Sequence, residues 1–62
     1  MTEYQNLPND PAMLLSFVNT QLRDNYPSFP EFVAAFHADA DAITEKLKMI
    51  DYEYDETQNQ FV

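Results

Sequence analysis

Residues Ser28 to Met49 read SFPEFVAAFHADADAITEKLKM, and their spacing decides the fold because two helices have to fit within them. Ser28 and Glu31 stand three apart, as in a capping box, where the hydroxyl takes one free amide of the first turn and the glutamate reaches back to another. Phe29, Phe32, Val33 and Phe36 then follow i, i+3, i+4, i+7, a single apolar stripe. The spacing predicts a helix over residues 28–37 that is almost wholly committed to a core. After His37 and Ala38 the polarity rises, and Asp39 is the natural N-cap of a further helix over residues 39–50. Ala40, Ile43, Leu47 and Ile50 form its inner stripe, and Asp41, Glu45 and Lys48 its outer one. Two short helices so closely joined carry the spacing of a helix-turn-helix, with Phe32, Val33 and Phe36 on the first, Ala38 in the turn, and Ile43 and Leu47 on the second.

Such a pair buries its faces only against another element, and upstream residues supply one. Asp10 before Pro11 marks a helix start, since the carboxylate accepts from free amides and proline suits the first helical position. Leu14, Phe17, Val18 and Leu22 give the buried stripe of a helix over residues 10–25. Tyr26 precedes Pro27 and is pushed out of the helical region, which ends that helix. Residues 1–9, with Pro8 near their end, read as an arm. Downstream, YEYDETQNQFV at residues 52–62 turns Tyr52 and Tyr54 inward and Glu53 and Asp55 outward, passes a polar loop near residues 55–59, and ends apolar. That is a hairpin pattern. The chain has no glycine, so left-handed backbone positions fall to Asn or Asp, and Asp51 and Asn59 are the candidates. The expected architecture is mainly α: one small domain over residues 1–62, a three-helix helix-turn-helix-like unit with a small C-terminal β-hairpin as a wing.

Sixty-two residues bury only about 60% of the surface that the unfolded chain exposes. A stability of about 3 to 5 kcal/mol is the reasonable scale for such a core. No cysteine is present to staple it, and thiolate metal sites and thiol chemistry are excluded with it. The five phenylalanines and four tyrosines suffice for a packed core. The surface is lopsided, at net charge −8. Such a field repels nucleic acid and anionic membranes. The N-terminal residues lack the basic start and apolar run of a signal peptide. The longest apolar stretch, Ala12 to Val18, is interrupted by Ser16 and is far too short to span a bilayer. A cytoplasmic protein with no membrane contact is expected.

The chain from Asn6 onward resembles a family of short, uncharacterised bacterial proteins, a domain of unknown function. The matching stretches are NLPNDP at Asn6 to Pro11, MLLSFVN at Met13 to Asn19, LRD at Leu22 to Asp24, YPS at Tyr26 to Ser28, EKL at Glu45 to Leu47, YEYD at Tyr52 to Asp55 and NQF at Asn59 to Phe61. One departure is Asp51, where the family's pattern has glycine before the tyrosine pair. The resemblance implies a bacterial origin and brings no activity, so function has to come from the residues.

A helix-turn-helix reads bases with the first residues of its second helix and holds phosphates with flanking cations. Here the base-reading positions are Asp39, Asp41, Ala42 and Glu45, with only Lys46 and Lys48 nearby and Arg23 on another helix. Nucleic acid is therefore not the expected partner. Asp51, Glu53 and Asp55 share one strand face, but a calcium loop wraps its ligands round a sharp turn, and no metal or cofactor is expected. His37 has no evident catalytic partner, Ser16 lies within a helix and Ser28 has a capping role, so no nucleophile, base and orienting group assemble into an enzyme. The distinctive surface is the outer side of the first helix. Ser16, Asn19, Thr20 and Arg23 follow i, i+3, i+4, i+7 there without a carboxylate, and Met13 and Leu15 extend the stripe with apolar area. A non-catalytic module binding another protein, or a second copy as a homodimer, is the function this composition favours. A DNA-binding helix-turn-helix regulator is the alternative.

Overall fold

The computed structural model describes residues 7–62. The expected arm lies outside the described residues as far as residue 6; Leu7 and Pro8 are half-buried and in no regular element. Three helices follow, α1 (Pro11–Asp24), α2 (Phe29–Phe36) and α3 (Ala40–Lys48), and then a hairpin of β1 (Tyr54–Asp55) and β2 (Gln60–Phe61). The fold is thus mainly helical with a C-terminal two-stranded antiparallel hairpin, the class the periodicities predict.

Each helix begins on the residue its sequence marks. The carboxylate of Asp10 accepts from Met13 N–H at 3.0 Å, the hydroxyl of Ser28 from Glu31 N–H at 3.3 Å, and Asp39 Oδ1 from Asp41 N–H at 3.0 Å and Ala42 N–H at 3.3 Å. These caps supply acceptors to amides that have no partner within the helix. The ends of α2 and α3 are built alike. Ala38 N–H reaches Val33 O at 3.0 Å and His37 N–H reaches Ala34 O at 3.3 Å, while Tyr52 N–H reaches Leu47 O at 3.0 Å and Asp51 N–H reaches Lys48 O at 2.9 Å. Both are Schellman turns, which require a left-handed residue. Asp51 supplies it for α3 at φ 67°, so the span 39–50 is helix plus closing turn. His37 supplies it for α2 at φ 53°, a role the sequence reading gives to no residue. Histidine is among the few side chains enriched in that region, and with no glycine in the chain it takes the place glycine usually fills.

The core joins Leu14, Val18 and Leu22 of α1, Phe29 and Phe32 of α2, Ile43 and Leu47 of α3 and Phe61 of β2. Phe17 is half-buried rather than central. Its ring packs edge-on to Phe32 at 6.3 Å and Phe36 at 5.7 Å, on the rim where α2 ends. The helix α2 is less committed to the core than expected: Pro30, Glu31, Ala34 and Ala35 are exposed. An eight-residue helix carrying one apolar stripe has a second side to leave in water.

In the hairpin Tyr54 faces Phe61 and Asp55 faces Gln60. Glu53 and Val62 exchange N–H···O bonds of 2.9 and 2.8 Å and extend the ladder by one pair. The Asp55 carboxylate shapes the loop by accepting from Thr57 N–H at 2.9 Å and Gln58 N–H at 3.4 Å, and Asn59 returns the chain at φ 55°. Tyr52 and Tyr54 pack against the core, and Glu53 is exposed.

Exposed Asp51, unlike Asn59, has no side-chain bond among those described that would offset its left-handed backbone. Asp51→Gly should therefore raise stability by about 0.5 to 1 kcal/mol, the left-handed penalty it removes outweighing the greater entropy of unfolded glycine. A rise in Tm of about 4 °C by circular dichroism is the expected reading; a fall in Tm would mean that the carboxylate itself stabilises the turn.

Candidate functional site

The outer side of α1 reaches solvent through Ala12, Met13, Ser16, Thr20 and Arg23, and Met13 is 63% exposed. Asn19, grouped with these residues by its spacing, is half-buried and turned toward the hairpin. Its Nδ2 donates to Phe61 O at 3.1 Å and its Oδ1 accepts from Phe61 N–H at 2.8 Å. The amide thus occupies the outer edge of β2 as a neighbouring strand's peptide group would. Its position is fixed by the hairpin rather than left free to a partner.

A second asparagine ties the same region together. Asn59 Nδ2 donates to Leu22 O at 3.1 Å and to Tyr26 O at 3.0 Å, two carbonyls at the end of α1. Its Oδ1 accepts from the Tyr54 hydroxyl at 2.6 Å, and that hydroxyl accepts from Phe29 N–H, at the start of α2, at 3.2 Å. Three elements meet on one side chain.

Between the second half of α1 and the hairpin loop, these contacts leave a cleft of about 380 Å³ lined by Asn19, Thr20, Leu22, Arg23, Gln58, Asn59 and Gln60. Among the described residues no carboxylate lines it, in a chain with eleven Asp and Glu. Two acids close to it in sequence, Asp24 and Asp55, are engaged. Asp24 takes Arg23 Nε at 2.9 Å and Nη2 at 3.0 Å through its two oxygens. The bonded guanidinium holds the Asp24 carboxyl below its ordinary range, and the carboxylate raises Arg23 in turn. Both side chains are largely exposed, so water screens the pair and it adds little to stability. Asp55 is held low first by the Gln58 side-chain amide, at 3.0 Å, and then by Thr57 N–H. The stripe is therefore not free of acids at its C-terminal end, where Arg23 and Asp24 form one neutral unit.

Of the sequence candidates, Asn19, Thr20 and Arg23 come together at the cleft, and Ser16 lies one turn of α1 away. Gln58, Asn59 and Gln60 complete it from the hairpin and were missed. The left-handed Asn59 was legible, but the side-chain partners that bring the loop onto α1 leave no mark in local spacing.

A second cleft, of about 260 Å³, lies against the other end of α1 and includes Leu14, His37, Asp39, Ile43 and Lys46. Arg23 and Lys46 thus line separate clefts. Among the described residues no three His, Cys, Asp or Glu side chains gather as metal ligands, and no helix is long and apolar enough to cross a membrane.

Fold and surface together define a small, mainly helical, helix-turn-helix-like domain whose polar cleft sits between its first helix and a C-terminal hairpin. The chain belongs to the family described as Domain of unknown function (DUF4250), whose model matches residues 8–61. No curated protein and no solved structure matches it.

Proposed function

We propose that the domain is a non-catalytic, cytoplasmic protein-interaction module, and that its contact face is the outer side of α1 continued into the hairpin cleft: Met13, Ser16, Thr20, Arg23, Gln58 and Gln60. The observation that carries this reading is the carboxylate-free lining of that cleft on a chain of net charge −8. Interface cores are depleted in charged residues, and side chains pinned in place lose little entropy when a partner arrives. Asn19 and Asn59 are so pinned, and they line the cleft together with Thr20, Arg23 and Gln60. Against nucleic acid stand the exposed Asp39, Asp41 and Glu45 at the base-reading positions, the pairing of Arg23 with Asp24, and the separation of Arg23 from Lys46. Against catalysis stand the placement of His37 in the other cleft and of the Ser28 hydroxyl on Glu31 N–H.

The test is a photo-crosslinking residue placed at exposed Thr20 and, as control, at exposed Glu45, in the native cell. A discrete adduct from position 20 that is absent from position 45, and lost when Gln60→Glu is added, is the expected result. Adducts of equal yield from both positions would overturn the reading. So would fluorescence anisotropy showing tight binding of mixed-sequence duplex DNA that weakens steeply with salt.

A further inference from the structure

The two outer edges of the hairpin are unequal. Glu53 and Val62 exchange both N–H···O bonds, which makes them a hydrogen-bonded pair. Alternation along an antiparallel ladder then makes Tyr54 and Phe61 the non-hydrogen-bonded pair, and both turn their N–H and C=O away from each other. On the β2 side Asn19 takes both groups of Phe61. On the β1 side no described residue takes those of Tyr54. A strand edge with an unused donor and acceptor is a template for another extended chain.

We propose that the outer edge of β1 docks an extended basic peptide, of the pattern basic, apolar, basic. Charge selects the occupant. Asp51, Glu53 and Glu56 flank the edge and are exposed, and residues 49–62 contain no lysine or arginine. A second copy of this edge would set carboxylate against carboxylate, so the domain excludes itself. The pleat sets the pattern. A residue paired with Tyr54 through its backbone puts its own side chain on the Tyr54 face, where Tyr54 packs on Phe29 and Phe61 at 5.4 Å each. Its two neighbours point to the opposite face, where Glu53 meets a lysine or arginine. This edge is separate from the α1 cleft, and either holds without the other.

An acetylated Lys-Ile-Lys-Ile-Lys amide titrated into the ¹⁵N-labelled domain is the probe. The largest amide shifts should fall on Glu53 to Glu56, with Tyr54 foremost. A synthetic chain carrying an N-methyl group on Tyr54 should bind at least tenfold more weakly with an unchanged melt, because that N–H bonds to none of the described residues. Glu53→Lys, at an exposed position, should weaken the lysine probe at least tenfold and admit a Glu-Ile-Glu-Ile-Glu peptide in its place. Shifts centred on other acidic segments, or an N-methylated chain that binds the probe as tightly as the unmodified domain, would show that net charge alone attracts the probe and would overturn the proposal.

Discussion

Deleting residues 51–62 should abolish cooperative thermal unfolding and leave a chain without fixed aromatic packing. Phe61, 1% exposed, sits at 5.1 Å from Phe29 and 5.4 Å from Tyr54, so the hairpin contributes to the core rather than decorating it. Truncating one buried aromatic commonly costs about 3 to 5 kcal/mol. That equals the whole stability expected of a core this small, about 3 to 5 kcal/mol. The deletion also takes away the donors to Leu22 O and Tyr26 O and the hydroxyl on Phe29 N–H. Near-ultraviolet circular dichroism with a thermal scan reads the outcome, and Phe61→Ala should come close to reproducing it. A shortened chain with native helical content and a sharp melt would show that three helices suffice.

Asn59→Ala should cost about 3 kcal/mol, more than any other single polar substitution in the domain. Two carbonyls lose their donor and a tyrosine hydroxyl loses its acceptor, each at about 1 kcal/mol where burial is partial, and alanine fits the left-handed backbone poorly. Two companions separate these contributions in urea titrations. Asn59→Gly restores the backbone and none of the bonds, and Asn59→Asp keeps an acceptor for Tyr54 and loses both donors. Asn25→Ala, whose exposed amide reaches only Gln21 Oε1 at 2.8 Å, should change stability by less than about 0.5 kcal/mol. If Asn59→Ala proves as mild as Asn25→Ala, the network is incidental to the fold.

These two positions also mark where sequence reading succeeds and where it stops. Helix starts at Asp10, Ser28 and Asp39 were legible because a cap acts within three residues of its own chain. The stripes of α1 and α3 were legible because period 3.6 is local, and Asp51 and Asn59 emerged as left-handed once glycine was seen to be absent. Asn19 looked like a solvated partner of Ser16 and Thr20, since spacing on a helix says which side a residue occupies but not how far a distant hairpin reaches round to meet it. Phe61 lies 42 residues away. Three of the seven cleft residues, Gln58 to Gln60, were hidden for the same reason, and so was the engagement of Asp55 with its own loop.

The clasp of Asn19 on Phe61 also bears on how the chain reaches its fold. The helices and their caps form from contacts a few residues long, whereas the hairpin is secured by bonds spanning 42 residues at Asn19 and 37 and 33 residues at Asn59. Loop-closure entropy must be overcome before such bonds return anything, and distant pairings slow folding. Helix formation is therefore expected to run ahead, with docking of the hairpin onto α1 as the later step. Because the carboxylate-free cleft has walls from both α1 and the hairpin loop, it exists only after that docking, and the proposed contact face is completed in the same step as the core.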